Sequence, residues 1–257
     1  MPIKILRHPA DLYREAAETF VRIATQSVAA HGRFSVALAG GSTPRSLYGL
    51  LATDPGLRSR LPIECTHFYW GDERHVPPEH ADSNYRMASE AMLSKLPLAP
   101  GQVHRIHGEH PDVARAAGDY EIELRDNFAL ASGRHPRFDL VLLGIGPDGH
   151  TASLFPHTPA LDVTERSVAA NRVAALGTDR ITLTIPAINN AANVVFLVSG
   201  ADKAVALREI FQGPHDPRKL PAQSIAPHSG TLTWLVDEAA GAQLRTGVNL
   251  NDVASRT

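Results

Sequence analysis

The chain has 257 residues, 43% hydrophobic and 20% charged, enough apolar material for one large or two small globular cores and too much for a disordered chain. Its 25 Lys+Arg against 27 Asp+Glu leave a formal charge of −2, so no basic field argues for nucleic acid or an anionic membrane, and a small molecule is the expected partner. The single cysteine, Cys65, excludes an internal disulfide framework and has packing as its default role. Met1 to Leu12 lack the apolar core of a signal peptide, and no stretch approaches the roughly 18 apolar residues of a membrane span, so a soluble cytoplasmic protein is expected.

Ile3 to Leu6 reads as a short edge strand. Within Asp11 to His31, the residues Leu12, Ala16, Phe20, Ile23, Ala24 and Val28 recur at helical spacing, and Gly32 stops that helix. Phe34 to Ala39 is a buried-type strand running straight into Gly40-Gly41-Ser42-Thr43-Pro44. Ser46 to Leu51 then reads as helix, with Thr43 as N-cap and Pro44 at the first helical position. Strand, small-residue loop and helix N-terminus together make an anion site: free amides point outward, the helix dipole is positive there, and glycines let a phosphate approach. A bare tight turn accounts for the same letters. The lysine of a Walker loop and the spacing of a dinucleotide fingerprint are both missing.

The strand Thr66 to Trp70 ends in Gly71-Asp72-Glu73-Arg74-His75-Val76-Pro77, which puts charge beyond a strand's carboxyl end. These residues suit a solvated ion-pair cluster, or a grip in which Arg74 holds a phosphate and Asp72 accepts from sugar hydroxyls. Ser83-Asn84-Tyr85-Arg86 opens a helix through Leu93, with Asn84 as its cap or with its amide facing the crevice. Pro97 to Pro111 is loop-rich, with one strand expected near Val103 to Ile106. His104, His107 and His110 invite a metal reading, but Gly108 and Pro111 break the helix that would put them on one face, so no metal centre is expected. A long helix follows from Asp112 to Ala131.

Leu140 to Leu143 is a continuous apolar run, the pattern of a central parallel strand covered on both faces. It breaks into Gly144, Gly146, Pro147 and Gly149, with Asp148 and His150 held inside the turn. A titratable pair beyond the carboxyl end of a central strand is a site candidate, although a capping Asp beside a solvated His fits the same letters. Thr158 to Asn171 reads as mostly irregular, Arg180 to Thr184 as strand, Pro186 as the start of a short helix, and Asn193 to Val198 as a buried strand. Gly200-Ala201-Asp202-Lys203 starts a helix ending near Phe211. Lys203 in the first turn opposes the helix dipole, a local cost that an anionic ligand offsets; a solvated lysine is the plainer alternative. Gly213 to Pro227 is Pro-rich loop, Thr231 to Val236 a last strand, and the tail from Arg245 is expected to fray. With no internal repeat and no shift of composition, residues 1–257 are expected to form a single domain.

Strands alternating with helices, with ligand-like residues at four strand ends, predict an open, doubly wound, mostly parallel α/β sheet of Rossmann-like type with helices on both faces. The strand ends carrying Gly41, Asp72, Gly146 and Gly200 should converge on one crevice.

Several motifs, in order, resemble the 6-phosphogluconolactonase family, whose fold is shared with the glucosamine-6-phosphate deaminases. They are L-A-G-G-S-T-P-R at Leu38 to Arg45, W-G-D-E-R-H-V-P at Trp70 to Pro77, S-N-Y at Ser83 to Tyr85, and G-I-G-P-D-G-H-T-A-S-L-F-P at Gly144 to Pro156. R-I-T-L-T at Arg180 to Thr184 and G-A-D-K-A at Gly200 to Ala204 fit as well. Pro147 stands where the resemblance leads one to expect an acidic residue. The resemblance implies hydrolysis of 6-phospho-D-glucono-1,5-lactone to 6-phosphogluconate, the second step of the oxidative pentose phosphate pathway. Its partner would be a phosphorylated sugar lactone, with no nucleic acid, membrane, cofactor or metal; the sequence carries no signal for oligomeric state.

His150 is then the base that deprotonates water and returns the proton to the leaving ring oxygen, with Asp148 or another carboxylate orienting its ring. Gly40, Gly41, Ser42 and Thr43 would cradle the phosphate, with Arg74, Arg180 and Lys203 as cationic candidates, and Asp72 and Asn84 available to hydroxyls. A serine nucleophile lacks its Gly-x-Ser-x-Gly elbow. Glucosamine-6-phosphate deaminases carry a glutamate five residues after the histidine, where this chain has Phe155. A sugar-phosphate sensor lacks an effector segment, and a nicotinamide dehydrogenase lacks its glycine fingerprint.

Overall fold

The computed structural model describes residues 3–245. The described strands are β1 (Ile3–Leu6), β2 (Phe34–Leu38), β3 (Thr66–Trp70), β4 (Asp72–Arg74), β5 (Leu140–Leu143), β6 (Val168–Val173), β7 (Thr178–Leu183), β8 (Asn193–Val198) and β9 (Thr231–Asp237). The helices are α1 (Pro9–His31), α2 (Ser42–Thr53), α3 (Pro55–Arg58), α4 (Asn84–Ala91), α5 (Val113–Asn127), α6 (Ile185–Asn189), α7 (Ala204–Gln212) and α8 (Glu238–Gly241).

Six strands form one sheet in the order β1-β9-β8-β5-β2-β3, every pair parallel. Every residue of β2 and β5 is buried, which requires cover on both faces and explains why their sequences are apolar runs rather than alternations. The chain leaves β2 outward to β3, then returns at β5 on the other side of β2. That reversal opens a crevice beyond the carboxyl ends of β2 and β5, where doubly wound sheets take their ligands. At the foot of the sheet, α1 ends as its sequence demands: Gly32 adopts φ 78 and donates its N–H to Val28 O at 2.8 Å.

A second sheet, β4-β7-β6, is antiparallel and lies outside the sequence expectation. Asp72 to Arg74, read as loop, is the strand β4, with Asp72 opposite Thr182 and Arg74 opposite Arg180. Likewise Thr158 to Asn171, read as irregular, contains a 3-10 turn at Pro159–Asp162 and the start of β6. β4 is short and charged and β6 mixes Val and Ala with Asn and Arg, so pairing with β7 rather than their own pattern makes them strands. Conversely, Val103 to Ile106 is not a strand: one bridge joins Val103 to Phe68, and this segment covers the free edge of β3. Helix α5 stops at Asn127, short of Ala131, because Ala129 turns to φ 48. Among the described residues no helix is long and apolar enough to cross a membrane. The expectation for the tail beyond Arg245 lies outside the described residues.

Candidate active site

The loop after β5 is built by its glycines. Gly146 donates to His150 O at 2.9 Å, Gly149 at φ 79 donates back to Gly146 O at 3.0 Å, and Thr151 Oγ1 donates to Gly144 O at 2.9 Å. The turn is therefore tight enough to fold His150 over its own start. A Cβ on Gly146 would stand 2.1 Å from Cε1 and Nδ1 of the His150 ring, so only glycine admits the imidazole there.

His150 Nδ1 lies 2.6 Å from Asp148 Oδ1, and the same oxygen accepts the His150 backbone N–H at 3.2 Å. Burial pushes the Asp148 carboxyl up, but the hydrogen bond and charge of His150 outweigh it, holding the carboxyl below its ordinary range. An ionised carboxylate only accepts, so Nδ1 carries the proton, and in the neutral form of the ring the lone pair is then on Nε2. Among the described residues Nε2 has no hydrogen-bond partner. The ring stacks on Phe155 at a centroid distance of 4.0 Å.

The imidazole lines a cavity of about 230 Å³ at the reversal between β2 and β5, shared with Gly40, Gly41, Asp72, Arg74, Asn84, Gly146 and Lys203. Three of the four strand ends expected to meet there supply lining residues; Gly200 does not line it, but its turn delivers Lys203. Asp148 stands behind His150 rather than in the lining. A larger cavity of about 610 Å³ at the opposite sheet edge contains His31, Arg33 and Asp139. There Asp139 accepts from Ser35 N and Oγ and pairs with His31, at the amino ends of the strands rather than beyond the carboxyl ends where such sheets take ligands.

Around the crevice several roles differ from those expected. Helix α2 begins at Ser42 with Gly41, at φ 101, as its N-cap; Thr43 is not the cap, and Pro44 falls at the third helical position. Ser42 and Thr43 stay outside the lining, at the first two positions of α2. Ser83, not Asn84, caps α4, its Oγ accepting from Arg86 N at 3.1 Å. Asn84 is freed to donate Nδ2 to Asp72 O at 2.9 Å, and packs so close to Gly40 that a Cβ there would meet its Oδ1 at 1.9 Å.

Glu73 serves the fold. Its carboxylate accepts from the backbone N–H groups of Arg74, Asn84 and Tyr85 and from Ser83 Oγ, clamping the start of α4. Burial raises its carboxyl above the usual range against the pull of those amides. Arg74 lines the cavity and donates to Asp82 O; Arg180, its cross-strand partner, does not line it and bonds Thr178 Oγ1 at 2.8 Å. Burial, then the charge of Arg74, lowers the Arg180 guanidinium below its ordinary value. Lys203 precedes α7 in a 3-10 turn rather than sitting inside the helix, with Nζ 2.9 Å from Asp202 Oδ2.

Sequence reasoning missed Ser153, whose Oγ donates to Asp72 Oδ2 at 2.7 Å; its place in the histidine motif was the only signal. The histidines 104, 107 and 110 go separate ways. His104 is buried against Glu123, His107 faces Glu109, and His110 bonds the backbone of Asp112. Among the described residues no group of three His, Cys, Asp or Glu side chains is placed to hold a metal ion.

The family model for glucosamine-6-phosphate isomerases/6-phosphogluconolactonase matches residues 7–234. The chain is 47% identical over 221 residues to a 6-phosphogluconolactonase of Synechocystis sp., covering 86% of this chain and 89% of that one. It is 39% identical over 242 residues to a 6-phosphogluconolactonase of Nostoc sp., covering 94% and 98%. The solved 6-phosphogluconolactonase of Trypanosoma brucei superposes with a TM-score of 0.82 at 29% identity, covering 95% of this chain and 98% of that one.

Proposed function

This chain belongs to the glucosamine-6-phosphate isomerase/6-phosphogluconolactonase family, and we propose that it is a cytoplasmic enzyme hydrolysing 6-phospho-D-glucono-1,5-lactone to 6-phospho-D-gluconate, with His150 as its base. The observation that carries the reading is the Asp148–His150 pair, with Nδ1 bound at 2.6 Å and the imidazole residue lining the crevice.

The lactone carbonyl is already electrophilic, so the enzyme must supply a base for water and a proton for the leaving oxygen. Nε2 takes a proton from water as the oxygen adds to C1, and Asp148 holds the resulting imidazolium in place. When the bond from C1 to the ring oxygen breaks, the same nitrogen returns its proton to that oxygen, leaving an open-chain acid and a neutral imidazole. One side chain serves both halves, with Asp148 as the carboxylate that holds its ring.

The phosphate is held by the amides at the start of α2 and by Arg74 and Lys203, with Arg180 adding charge from behind Arg74. Binding at this unreacting end is converted into orientation of the carbonyl against His150. Phe155, stacked on the imidazole, occupies the position five residues on and offers no carboxylate for an amine-releasing proton relay. The test is a timed assay on freshly generated lactone, corrected for spontaneous hydrolysis, beside ammonia release from glucosamine 6-phosphate. Acceleration of the first without the second is expected; the reverse would overturn the reading.

A further inference from the structure

Ser153 lies three residues past His150 in the same loop, buried, and takes no part in the steps above. Its hydroxyl donates to Asp72 Oδ2 at 2.7 Å. Its backbone is fixed on both sides: the N–H donates to Thr182 Oγ1 at 3.2 Å, and the carbonyl accepts from Asn171 Nδ2 at 2.8 Å. Thr182 and Asn171 belong to β7 and β6, so the second sheet, not the loop itself, aims this hydroxyl. Among the described residues it makes the one side-chain hydrogen bond between the loop that carries His150 and the strand that carries Asp72.

Asp72 lines the crevice with a carboxylate of two oxygens. Oδ2 is taken by Ser153, while among the described residues Oδ1 has no donor and is not one of the buried unpaired atoms. A carboxylate only accepts, so Oδ1 is the acceptor left for a donor in the crevice. Ser153 Oγ does not line the cavity, which removes it as a nucleophile.

We infer that Ser153 is a positioning residue: its hydroxyl locks Asp72 so that Oδ1 faces a ring hydroxyl of the bound sugar lactone, at a fixed offset from His150 Nε2. This rests on the lactonase reading. Without the Ser153 hydroxyl the carboxylate regains rotation about its own side chain, and a buried oxygen is left without its donor. The sugar ring then loses its second point of alignment while its phosphate stays anchored.

A kinetic double-mutant cycle tests this with the parent, Ser153→Ala, Asp72→Ala and the double variant, measured on the phosphorylated lactone after correction for spontaneous hydrolysis. Inhibition by inorganic phosphate is measured alongside, as a report on the anchor. Ser153→Ala should lower kcat/KM about tenfold in the parent, as expected for a charge-assisted contact, and less than twofold in the Asp72→Ala background, with phosphate inhibition unchanged. Equal losses in both backgrounds, or weakened phosphate inhibition in Ser153→Ala, would overturn the inference, because a merely structural role produces those results. Asp72→Asn replaces Asp72→Ala if the latter does not fold. A parent that fails to accelerate hydrolysis would remove the lactonase reading and this inference with it; an active parent with an additive cycle removes only the role of Ser153.

Discussion

Gly146→Ala is the sharpest perturbation the site offers, because one methyl group meets both members of the proposed catalytic pair. An ideal Cβ there stands 2.1 Å from Cε1 and Nδ1 of His150 and 2.6 Å from Asp148 Oδ1. Carbon contacts settle at about 3.5–4.0 Å, so the ring must retreat by more than about 1 Å. That retreat breaks the 2.6 Å bond from Nδ1 to Asp148, or opens the turn closed by Gly146 N and His150 O at 2.9 Å. A misplacement of about 1 Å typically costs about 10²-fold, so kcat/KM should fall by about that factor, and stability by about 1 kcal/mol for the lost hydrogen bond. The assay is lactone hydrolysis corrected for the spontaneous rate, with a thermal melt to confirm folding. Gly49→Ala is the control: nothing lies within 4 Å of its added Cβ in α2, so kinetics should be unchanged and the helix stabilised by roughly 0.5–1 kcal/mol. A folded Gly146→Ala protein within threefold of the parent would show that the close approach of His150 to Gly146 does not matter to turnover.

His150→Ala should lower kcat by about 10²–10⁴-fold while leaving inhibition by inorganic phosphate intact; an unchanged kcat would remove the residue from the mechanism. Arg74→Ala or Lys203→Ala should cost roughly ten- to a hundredfold in kcat/KM on the phosphorylated lactone and far less on gluconolactone without the phosphate. Equal losses on both substrates would refute the anchor. Phe155→Glu should release no ammonia from glucosamine 6-phosphate, since one carboxylate does not make a relay, and measurable release would count against the weight placed on that position. Burial, then the charges of Arg33 and His104, push His67 down to about 4, so between about pH 6.5 and about pH 4 the unfolded chain binds a proton that the folded chain refuses. Stability should therefore fall as pH falls through that window. His67→Gln should flatten the dependence by about 1 kcal/mol after solvent screening, as read from denaturant midpoints at both ends, and an undiminished slope in that variant would assign it to other groups.

The central sheet was legible because its strands carry their own signal. Leu140 to Leu143 and Asn193 to Val198 are apolar runs too short for helices, and burial on both faces leaves no other pattern open to them. The site loops were legible because glycine and charge coincide at strand ends. The second sheet was not, since β4 consists of Asp72, Glu73 and Arg74, which read as solvent-facing letters until β7 pairs with them. Glu73 shows the same limit: its four donors come from residues 74 and 83 to 85, a clamp that exists only once α4 has turned back. Caps were misplaced by one or two residues at Thr43 and Asn84 because Gly41 and Ser83 hold those backbone positions instead. Ser153 was invisible for a related reason, its partner lying 81 residues away in sequence.

The pairing of β4 with β7 explains why a phosphate should bind at Arg74 rather than merely near it. Arg74 and Arg180 stand directly opposite on antiparallel strands, where like charges oppose the fold. Burial first, then the charge of Arg74, lowers the Arg180 guanidinium below its ordinary value. The nearby carboxylates Asp72, Asp82 and Glu73 pull the other way but do not outweigh burial and Arg74. A dianion beside Arg74 would add countercharge to what those carboxylates supply. Inorganic phosphate should therefore raise the unfolding free energy by about 2.7 kcal/mol at a hundredfold excess over its Kd. Arg74→Gln should change ligand-free stability by less than about 1 kcal/mol, because relief of the repulsion offsets the lost bond to Asp82 O, and it should abolish most of the phosphate-induced shift. If phosphate raises the melting temperature of Arg74→Gln as much as that of the parent, the paired arginines are a tolerated liability of the second sheet, and the anion is held by the mouth of α2 and Lys203 alone.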